Sequence, residues 1–277
     1  IRVVCISDTH NTQPDLPPGD ILIHAGDLTE NGSFDEVQSQ ITWLSEQPHD
    51  HKILIAGNHD VLLDGKFLTE NPKRRYGQSK TAADLDWSDV HYLQDSSIEL
   101  KFPLDSQNAS GPSERTLRIY GSPWTPQYGI SAFQYPREKD VWSDKIPSDT
   151  DILITHGPPR LHLDRRDFHR AGCPFLAQEI AGVRPRLVVF GHIHVAYGRE
   201  DVVLDGAQRR WEEITNQWAG WVSLGFVAVG MVFARLRAAV SGRDALLRAE
   251  RVTTFVNAAV VGGPNNELQN EAVVCEL

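Results

Sequence analysis

Five short apolar runs in this chain each stop at residue types that bind metal ions. Ile1 to Ile6 leads into Ser7, Asp8, Thr9 and His10, and Ile21 to Ile23 passes through His24, Ala25 and Gly26 to Asp27. Ile53 to Ile55 reaches Asn58, His59 and Asp60 by way of Ala56 and Gly57, Ile152 to Ile154 reaches His156, and Leu187 to Phe190 delivers Gly191, His192, Ile193 and His194. Carboxylate and imidazole suit Mn, Fe and Zn, and with no cysteine at any of these run ends a thiolate site is excluded. A single Asp or His in a loop is usually a solvated or capping group. The same donor types recurring at five run ends turn the balance toward a metal site. Asp8 and His10, two residues apart on extended backbone, are expected to approach one ion from the same side. His192 and His194 either do likewise or serve neighbouring ions, and Asp27, with two coordinating oxygens, is the candidate bridge. Glycines ahead of Asp27, Asn58 and His192 let the chain turn sharply where each run stops.

The elements that must carry these residues follow from hydrophobic pattern. Each run is short, apolar and rich in β-branched residues, as expected of strands buried on both faces. Between them lie helical segments such as Phe34 to Glu46, where Val37, Ile41 and Leu44 recur at helical spacing and Ser33 can cap the start. Alternating strands and helices predict an α/β or layered α-β-β-α domain, in which binding sites lie beyond the carboxyl ends of the strands. Ile98 to Phe102 and Thr116 to Tyr120 flank the polar stretch Pro103 to Arg115 and predict a hairpin with a long surface loop. Thr253 to Val261 and Ala272 to Cys275 read as strands that rejoin the same core, so residues 1–277 are expected to form one domain with a divergent helical segment around 211–250.

Composition narrows the partners. A formal charge of -10 and a pI near 5.5 repel nucleic-acid backbones and anionic lipid, so duplex nucleic acid is not expected as a partner. Cys5, Cys173 and Cys275 are odd in number and widely spaced, which predicts neither a disulfide framework nor a cysteine zinc site and favours a reducing, cytoplasmic setting. The sequence opens directly on the apolar strand rather than on a basic and apolar leader, so no secretory signal is expected within it. Ile214 to Ala234 carries no charged residue and is followed by Arg235, Arg237 and Arg243. Its length falls within the roughly 17 to 25 residues that cross a bilayer, but the strands after it favour a buried helix, or an apolar face for a second subunit or a membrane surface.

The ordered series Asp8-x-His10, Gly26-Asp27, Gly57-Asn58-His59-Asp60, Thr155-His156 and Gly191-His192-Ile193-His194 resembles the calcineurin-like metallophosphoesterase superfamily. His24-Ala25-Gly26-Asp27, Gly121-Ser122-Pro123-Trp124 and Thr155-His156-Gly157-Pro158-Pro159 resemble its smaller group of metallophosphoesterase-domain-containing proteins of animals and fungi. The resemblance implies a four-layer α-β-β-α sandwich and a dinuclear centre of two divalent ions, Mn, Fe or Zn. Carried over position by position, it implies that Asp8, His10 and His194 hold one ion, Asn58, His156 and His192 the other, and Asp27 both. Leu28-Thr29-Glu30-Asn31-Gly32 departs from the Asp-Arg-Gly that follows the matching Asp in Ser/Thr protein phosphatases, which speaks against protein dephosphorylation.

Two such ions about 3.5 to 4 Å apart would supply a bridging hydroxide to attack phosphorus and would neutralise the phosphate oxygens. His59 is the expected proton donor to the leaving alkoxide, with Asp60, or alternatively Glu30, fixing its tautomer. The expected activity is therefore phosphate-ester hydrolysis. The resemblance points to a small phosphodiester of cyclic-nucleotide type, with a phosphomonoesterase or pathway-specific hydrolase as the alternative and a metal-stabilised scaffold using Trp218 to Ala234 as the reading of another class. Trp124, His162, Arg165 and Arg166 are candidates for substrate contact. Against them stand core packing for the tryptophan and a solvated charge cluster for the others. His24 is expected as a core or supporting histidine, Asn257 as a turn or strand residue, and His49, His51, His91 and His169 as surface residues.

Overall fold

The computed structural model describes residues 1–103, 114–216, 218, 220, 225, 226, 228–230, 232 and 252–277. Two sheets carry the fold. In chain order their strands are β1 (Arg2–Ile6), β2 (Ile21–His24), β3 (His51–Leu54), β4 (Val90–Tyr92), β5 (Ser96–Pro103), β6 (Glu114–Ser122), β7 (Ile152–Thr155), β8 (Leu187–Phe190), β9 (Gly198–Val203), β10 (Val252–Asn257) and β11 (Val273–Glu276). The first sheet has the order β11-β1-β2-β3-β4 and the second β9-β10-β8-β7-β6-β5. β1 to β4 are parallel, as are β6, β7, β8 and β10, while β11, β5 and β9 join antiparallel. β5 and β6 are the expected hairpin, paired from Ser96↔Gly121 to Pro103↔Glu114. Residues 104–113 of its connecting loop lie outside the described residues.

Side-chain alternation along the strands makes the layers. Val3 and Cys5 of β1 face the second sheet, where they pack with Ile152 and Ile154 of β7 and Leu187 and Val189 of β8. Val4 and Ile6 face the other way, onto Val37, Ile41 and Leu44 of α1 (Phe34–Ser45). On the far side, Leu153, Val188, Phe190 and Phe255 pack with Leu176 and Ile180 of a second long helix, Pro174–Val183. The fold is therefore a four-layer α-β-β-α sandwich. Because both faces of the inner strands are covered, Ile154→Ala would leave a void between the sheets costing about 2–5 kcal/mol.

Helix α1 begins where its chemistry directs it. Ser33 Oγ accepts from Glu36 N, and the Glu36 carboxylate accepts in return from the Ser33 backbone N–H at 2.9 Å, a reciprocal cap that satisfies two otherwise orphaned donors. Of the expected helical segment around 211–250, Gly206–Thr215 forms a helix capped by Asp205. Most of the apolar stretch 214–234 lies outside the described residues, and no described helix is long and apolar enough to cross a membrane.

Candidate metal centre

The carboxyl ends of the two sheets meet. Ser7 bridges to Ala259, just past β10, and Gly191 N donates to His156 O at 3.0 Å. At this seam Asp8, His10 and His194 form one group of ligand atoms within 4.8 Å of one another, and Asp27, His156 and His192 form another. Asn58 joins the second, with Oδ1 3.2 Å from His156 Nε2. Asp27 Oδ2 stands between the groups, 3.2 Å from His156 Nε2 and 3.8 Å from His10 Nε2. The seven residues expected as ligands are thus gathered at one place, with His192 and His194 in different groups.

Their backbone departs from expectation. Asp8 and His10 do not lie on extended chain: β1 stops at Ile6, and both take left-handed conformations with φ of 55° and 42°. Asp27 and His192 do the same, at 53° and 66°. Such conformations cost non-glycine residues on the order of 1 kcal/mol or more, and persist where surrounding contacts over-determine them. Here Asp8 N donates to Gly26 O at 2.9 Å, His10 N to Asp27 O at 3.2 Å, and His192 N to the Asp8 carboxylate at 3.0 Å. These bonds tie three run ends into one rigid cradle. Gly57 and Gly191 are required by close approach. A methyl on Gly57 would overlap the Asp27 backbone nitrogen and carboxylate, and one on Gly191 would overlap the Asp8 carboxylate and the Ser7 hydroxyl.

The electrostatics attract positive charge. Burial pushes Asp8 and Asp27 up, but the hydrogen bond and charge of His194 on Asp8, and the charge of His156 on Asp27, hold both well below the usual carboxylate range. Burial pulls His156 down, yet the Asp27 carboxylate overcomes it and raises the imidazole to about 9. Its Nδ1 lies 2.8 Å from the Ala25 carbonyl and must donate to it, so the extra positive charge belongs at Nε2, facing Asp27 and Asn58. A cation at that position would take the proton's place. His192 is pushed down to about 3 by burial and by His156, which keeps a lone pair free. Both ring nitrogens of His10 are buried and hydrogen-bond nothing; Nδ1 lies 3.0 Å from Glu30 Oε2 without hydrogen-bond geometry. A buried imidazole without partners is costly, and metal coordination is the chemistry that would satisfy it. The donors therefore fit two divalent ions, with the divided ligand groups and Asp27 between them.

Asp60 is not a partner of the His59 ring. Its carboxylate accepts from Leu28 N, Thr29 N, Thr29 Oγ1 and Gly57 N, so it braces the loops that carry Asp27 and Asn58. Burial and the charge of Asp27 push Asp60 up to about 6. His59 is oriented by Glu30 instead, through that residue's backbone carbonyl, 2.7 Å from Nδ1. A carbonyl only accepts, so Nδ1 carries the proton and Nε2 is the nitrogen available to the cavity. Burial lowers the pKa of His59, but the charge of Asp27, the hydrogen bond to the Glu30 carbonyl and the charges of Glu30 and Asp60 together outweigh it, a net upward shift. His24 is fully buried between Gly26 N, which donates to Nδ1 at 3.2 Å, and Thr9 Oγ1 at 2.9 Å. Burial drives it down to about 3, so it is a neutral brace beneath the ligand loops.

A cavity of about 310 Å³ opens over the two groups, lined among others by His10, Asp27, Asn58, His59, Tyr128, Arg166, His192, His194 and Asn266. The expected substrate contacts are mostly elsewhere. Trp124 donates from Nε1 to Asp95 at 2.8 Å and packs edge-on against Phe133. His162 is buried, stacked on Phe255 at 4.0 Å and hydrogen-bonded to Glu200 and Glu212. Arg165 is exposed, with Nε donating to Asp167 O, and does not line the cavity; its neighbour Arg166 does. Tyr128 and Asn266 were not anticipated. Tyr128 lies in the loop after β6, whose parallel pairing with β7 makes it one more strand ending at the same seam. Asn257 ends β10 and donates to Ile193 O at 3.0 Å. His49, expected at the surface, is buried, 3.0 Å from Pro17 O, because the chain before β2 folds over it.

Fold and site together define an α-β-β-α protein with metal-ligand side chains gathered at the carboxyl ends of two stacked sheets. The chain belongs to the calcineurin-like phosphoesterase family, whose sequence model matches residues 1–196 and whose members are dimetal-dependent phosphoester hydrolases. It is 41% identical over 279 residues to a protein of Emericella nidulans named probable rhamnogalacturonate lyase C, covering 100% of this chain and 24% of that protein. Metallophosphoesterase domain-containing protein 1 of Homo sapiens is 40% identical over 213 residues, 74% of this chain and 63% of that one. A UPF0046 protein of Caenorhabditis elegans is 36% identical over 214 residues, 72% and 70% of the respective chains. The chain thus spans about a quarter of the first relative and less than two thirds of the second.

Proposed function

We propose that this chain hydrolyses small phosphate esters with the help of two divalent ions, Mn, Fe or Zn, and that phosphodiesters of cyclic-nucleotide size are its preferred substrates. The observation that carries this reading is Asp27, whose carboxylate stands between two groups of buried and half-buried ligand residues at the floor of one cavity. Asp8, His10 and His194 would hold one ion, Asn58, His156 and His192 the other, and Asp27 both. Bound there, the ions would lower the pKa of a shared water and neutralise charge on the phosphate oxygens.

The chain's own residues supply the rest. His59, its Nδ1 proton fixed on the Glu30 carbonyl, can carry a second proton on Nε2 and deliver it to the departing alkoxide. Its raised pKa favours the protonated form that a general acid needs. Preference for a diester rests on the resemblance to the family; within the cavity Arg166 is the only permanently cationic side chain in the lining among the described residues and adds one positive charge to that of the ions. The cavity volume suits a small molecule rather than a duplex, in keeping with the acidic composition. Three buried free cysteines are compatible with a reducing, cytoplasmic setting. The alternative role of residues 214–234 as a face for a second copy or a membrane surface concerns a segment that lies mostly outside the described residues.

Metal-supplied protein assayed with bis(p-nitrophenyl) phosphate and p-nitrophenyl phosphate tests the proposal. Cleavage of both with a higher kcat/KM for the diester is expected. A reversed preference would make the chain a monoesterase, and no cleavage of either after Mn, Fe or Zn supplementation would end the enzyme reading.

A further inference from the structure

The cavity has a metal-ligand floor and one wall that the chemistry so far leaves idle. On that wall the Arg166 guanidinium lies 5.1 Å over the Tyr128 ring. Tyr128 in turn meets the His192 imidazole edge-on, with ring centroids 6.1 Å apart. A cation held by an aromatic face is placed without being neutralised. Among the described residues no carboxylate pairs with Arg166, whereas Arg170, on the short strand facing it, is paired with Asp164. An arginine at the mouth of a cavity in a chain of charge -10 would find a surface carboxylate readily, so its pairing with a neutral ring leaves the charge directed at whatever enters.

The loop that presents Arg166 is built for fixed placement. Arg165–Arg166 pairs with His169–Arg170 as a short antiparallel ladder. Its base is pinned by Asp164, fully buried, which accepts from Arg170 Nη1 at 2.8 Å and from Gly172 N at 3.1 Å. Two residues earlier His162 is stacked on Phe255 and held from either side by Glu200 and Glu212. A loop anchored by two buried polar residues costs little further ordering when a ligand binds.

We infer that Arg166, held in place by Tyr128, is a specificity-determining residue that binds an anionic oxygen of the substrate on the Tyr128–His192 side of the cavity. The inference rests on the proposed hydrolysis of phosphate esters and names how the substrate's charge is recognised. A guanidinium matches two phosphoryl oxygens at once, a geometry that an ammonium reproduces only as a point charge. Because the contact exists before and during reaction, it acts on binding more than on turnover.

The test uses two readouts. In steady-state hydrolysis of bis(p-nitrophenyl) phosphate, Arg166→Ala is expected to raise KM about 10- to 100-fold while kcat changes less than about threefold, the size of a lost charge-assisted hydrogen bond. Arg166→Lys should recover part of that loss, and Tyr128→Leu should raise KM several-fold by freeing the guanidinium. Calorimetric titration of inorganic phosphate into Mn-supplied protein reads the same contact without turnover, and Arg166→Ala should weaken it at least tenfold. An unchanged phosphate affinity in Arg166→Ala overturns the inference even if the enzyme is active. An equal effect from Arg165→Ala, which removes a charge outside the cavity, also overturns it by showing general electrostatics rather than a contact. If no ester is cleaved but phosphate binding weakens in Arg166→Ala alone, the anion site stands and the hydrolase reading falls. Failure of wild type to bind phosphate at millimolar concentration rejects the site outright.

Discussion

Asp60 and Thr29 are joined twice: one oxygen of the buried Asp60 carboxylate accepts both the Thr29 backbone N–H, at 3.1 Å, and its hydroxyl, at 2.8 Å. With Leu28 N and Gly57 N on the other oxygen, this makes a brace between the loops that follow β2 and β3. Asp60→Ala would leave those buried donors unsatisfied, at about 1–3 kcal/mol for each one not rescued by water. We predict a denaturation midpoint lowered by an amount equivalent to at least about 2 kcal/mol, with reduced metal content. A variant of native stability whose only defect is kcat would instead place Asp60 in proton transfer.

His59 should behave differently. It holds no group that the fold needs, so His59→Gln should retain wild-type stability and metal content yet lose about 10²- to 10⁴-fold in kcat. The loss should shrink for esters with acidic phenol leaving groups, which need little protonation, and grow for alkyl esters. A loss independent of leaving-group pKa would remove His59 from the role of general acid.

Asp27 belongs to the group of His156 and His192 and lies 3.8 Å from His10 of the other, so under the proposed bridging its substitution should be felt at both. Asp27→Ala is expected to drop bound metal from about two ions toward one or none and to abolish hydrolysis. In wild type, chelator should lower the melting temperature, since ions that bind the folded form alone stabilise it by mass action. Metal analysis by mass spectrometry and thermal melts with and without EDTA decide the matter; unchanged stoichiometry in Asp27→Ala would refute the bridging assignment.

Gly191 offers a test of the close approach between β8 and the loop after β1. An added methyl would collide with the Asp8 carboxylate and Ser7 hydroxyl, so Gly191→Ala should destabilise by about 1–3 kcal/mol and weaken metal affinity. Gly182→Ala, where an added methyl meets nothing within 4 Å, is the matched control. Equal stability of the two variants would contradict the packing described for the seam.

His162 predicts a pH dependence away from the metal ligands. Burial lowers its pKa, but the hydrogen bonds it donates to Glu200 and Glu212, and their charges, overcome this and raise it from 6.5 to about 9. A pKa higher in the folded state means the stabilisation is complete below about 6.5 and is lost as pH rises through about 9. The shift corresponds to something on the order of 3 kcal/mol. Wild type should therefore lose stability between pH 6.5 and 9, and His162→Gln should flatten that slope. Parallel stability curves for the two proteins would show that His162 is not charged in the fold.

Much of the fold was legible because its signals are local. The apolar runs at Ile1, Ile21, Ile152 and Leu187 became strands close to their expected limits, and Ser33 caps α1 as its residue type predicts. The order Asp, Asp, Asn, His, His at run ends also survives as a spatial cluster, since parallel strands send all their carboxyl ends to one edge. The candidate substrate contacts turn on partners distant in sequence: Trp124 is committed to Asp95, His162 to Glu200 and Glu212, and of the neighbours Arg165 and Arg166 only the second lines the cavity. The burial of His49 has no local signal, since the chain that covers it is the distant segment before β2.

The sequence by itself determined the donor set, the strands that carry it and the layered class of the fold, because side-chain chemistry and hydrophobic period are properties of short stretches. Only the tertiary structure decided that Asp27 stands between two ligand groups, that Glu30 rather than Asp60 orients His59, and that Tyr128 holds Arg166 over the cavity. These are contacts between residues 29 to 38 positions apart, or between separate sheets, set by how two twisted layers pack rather than by any single segment.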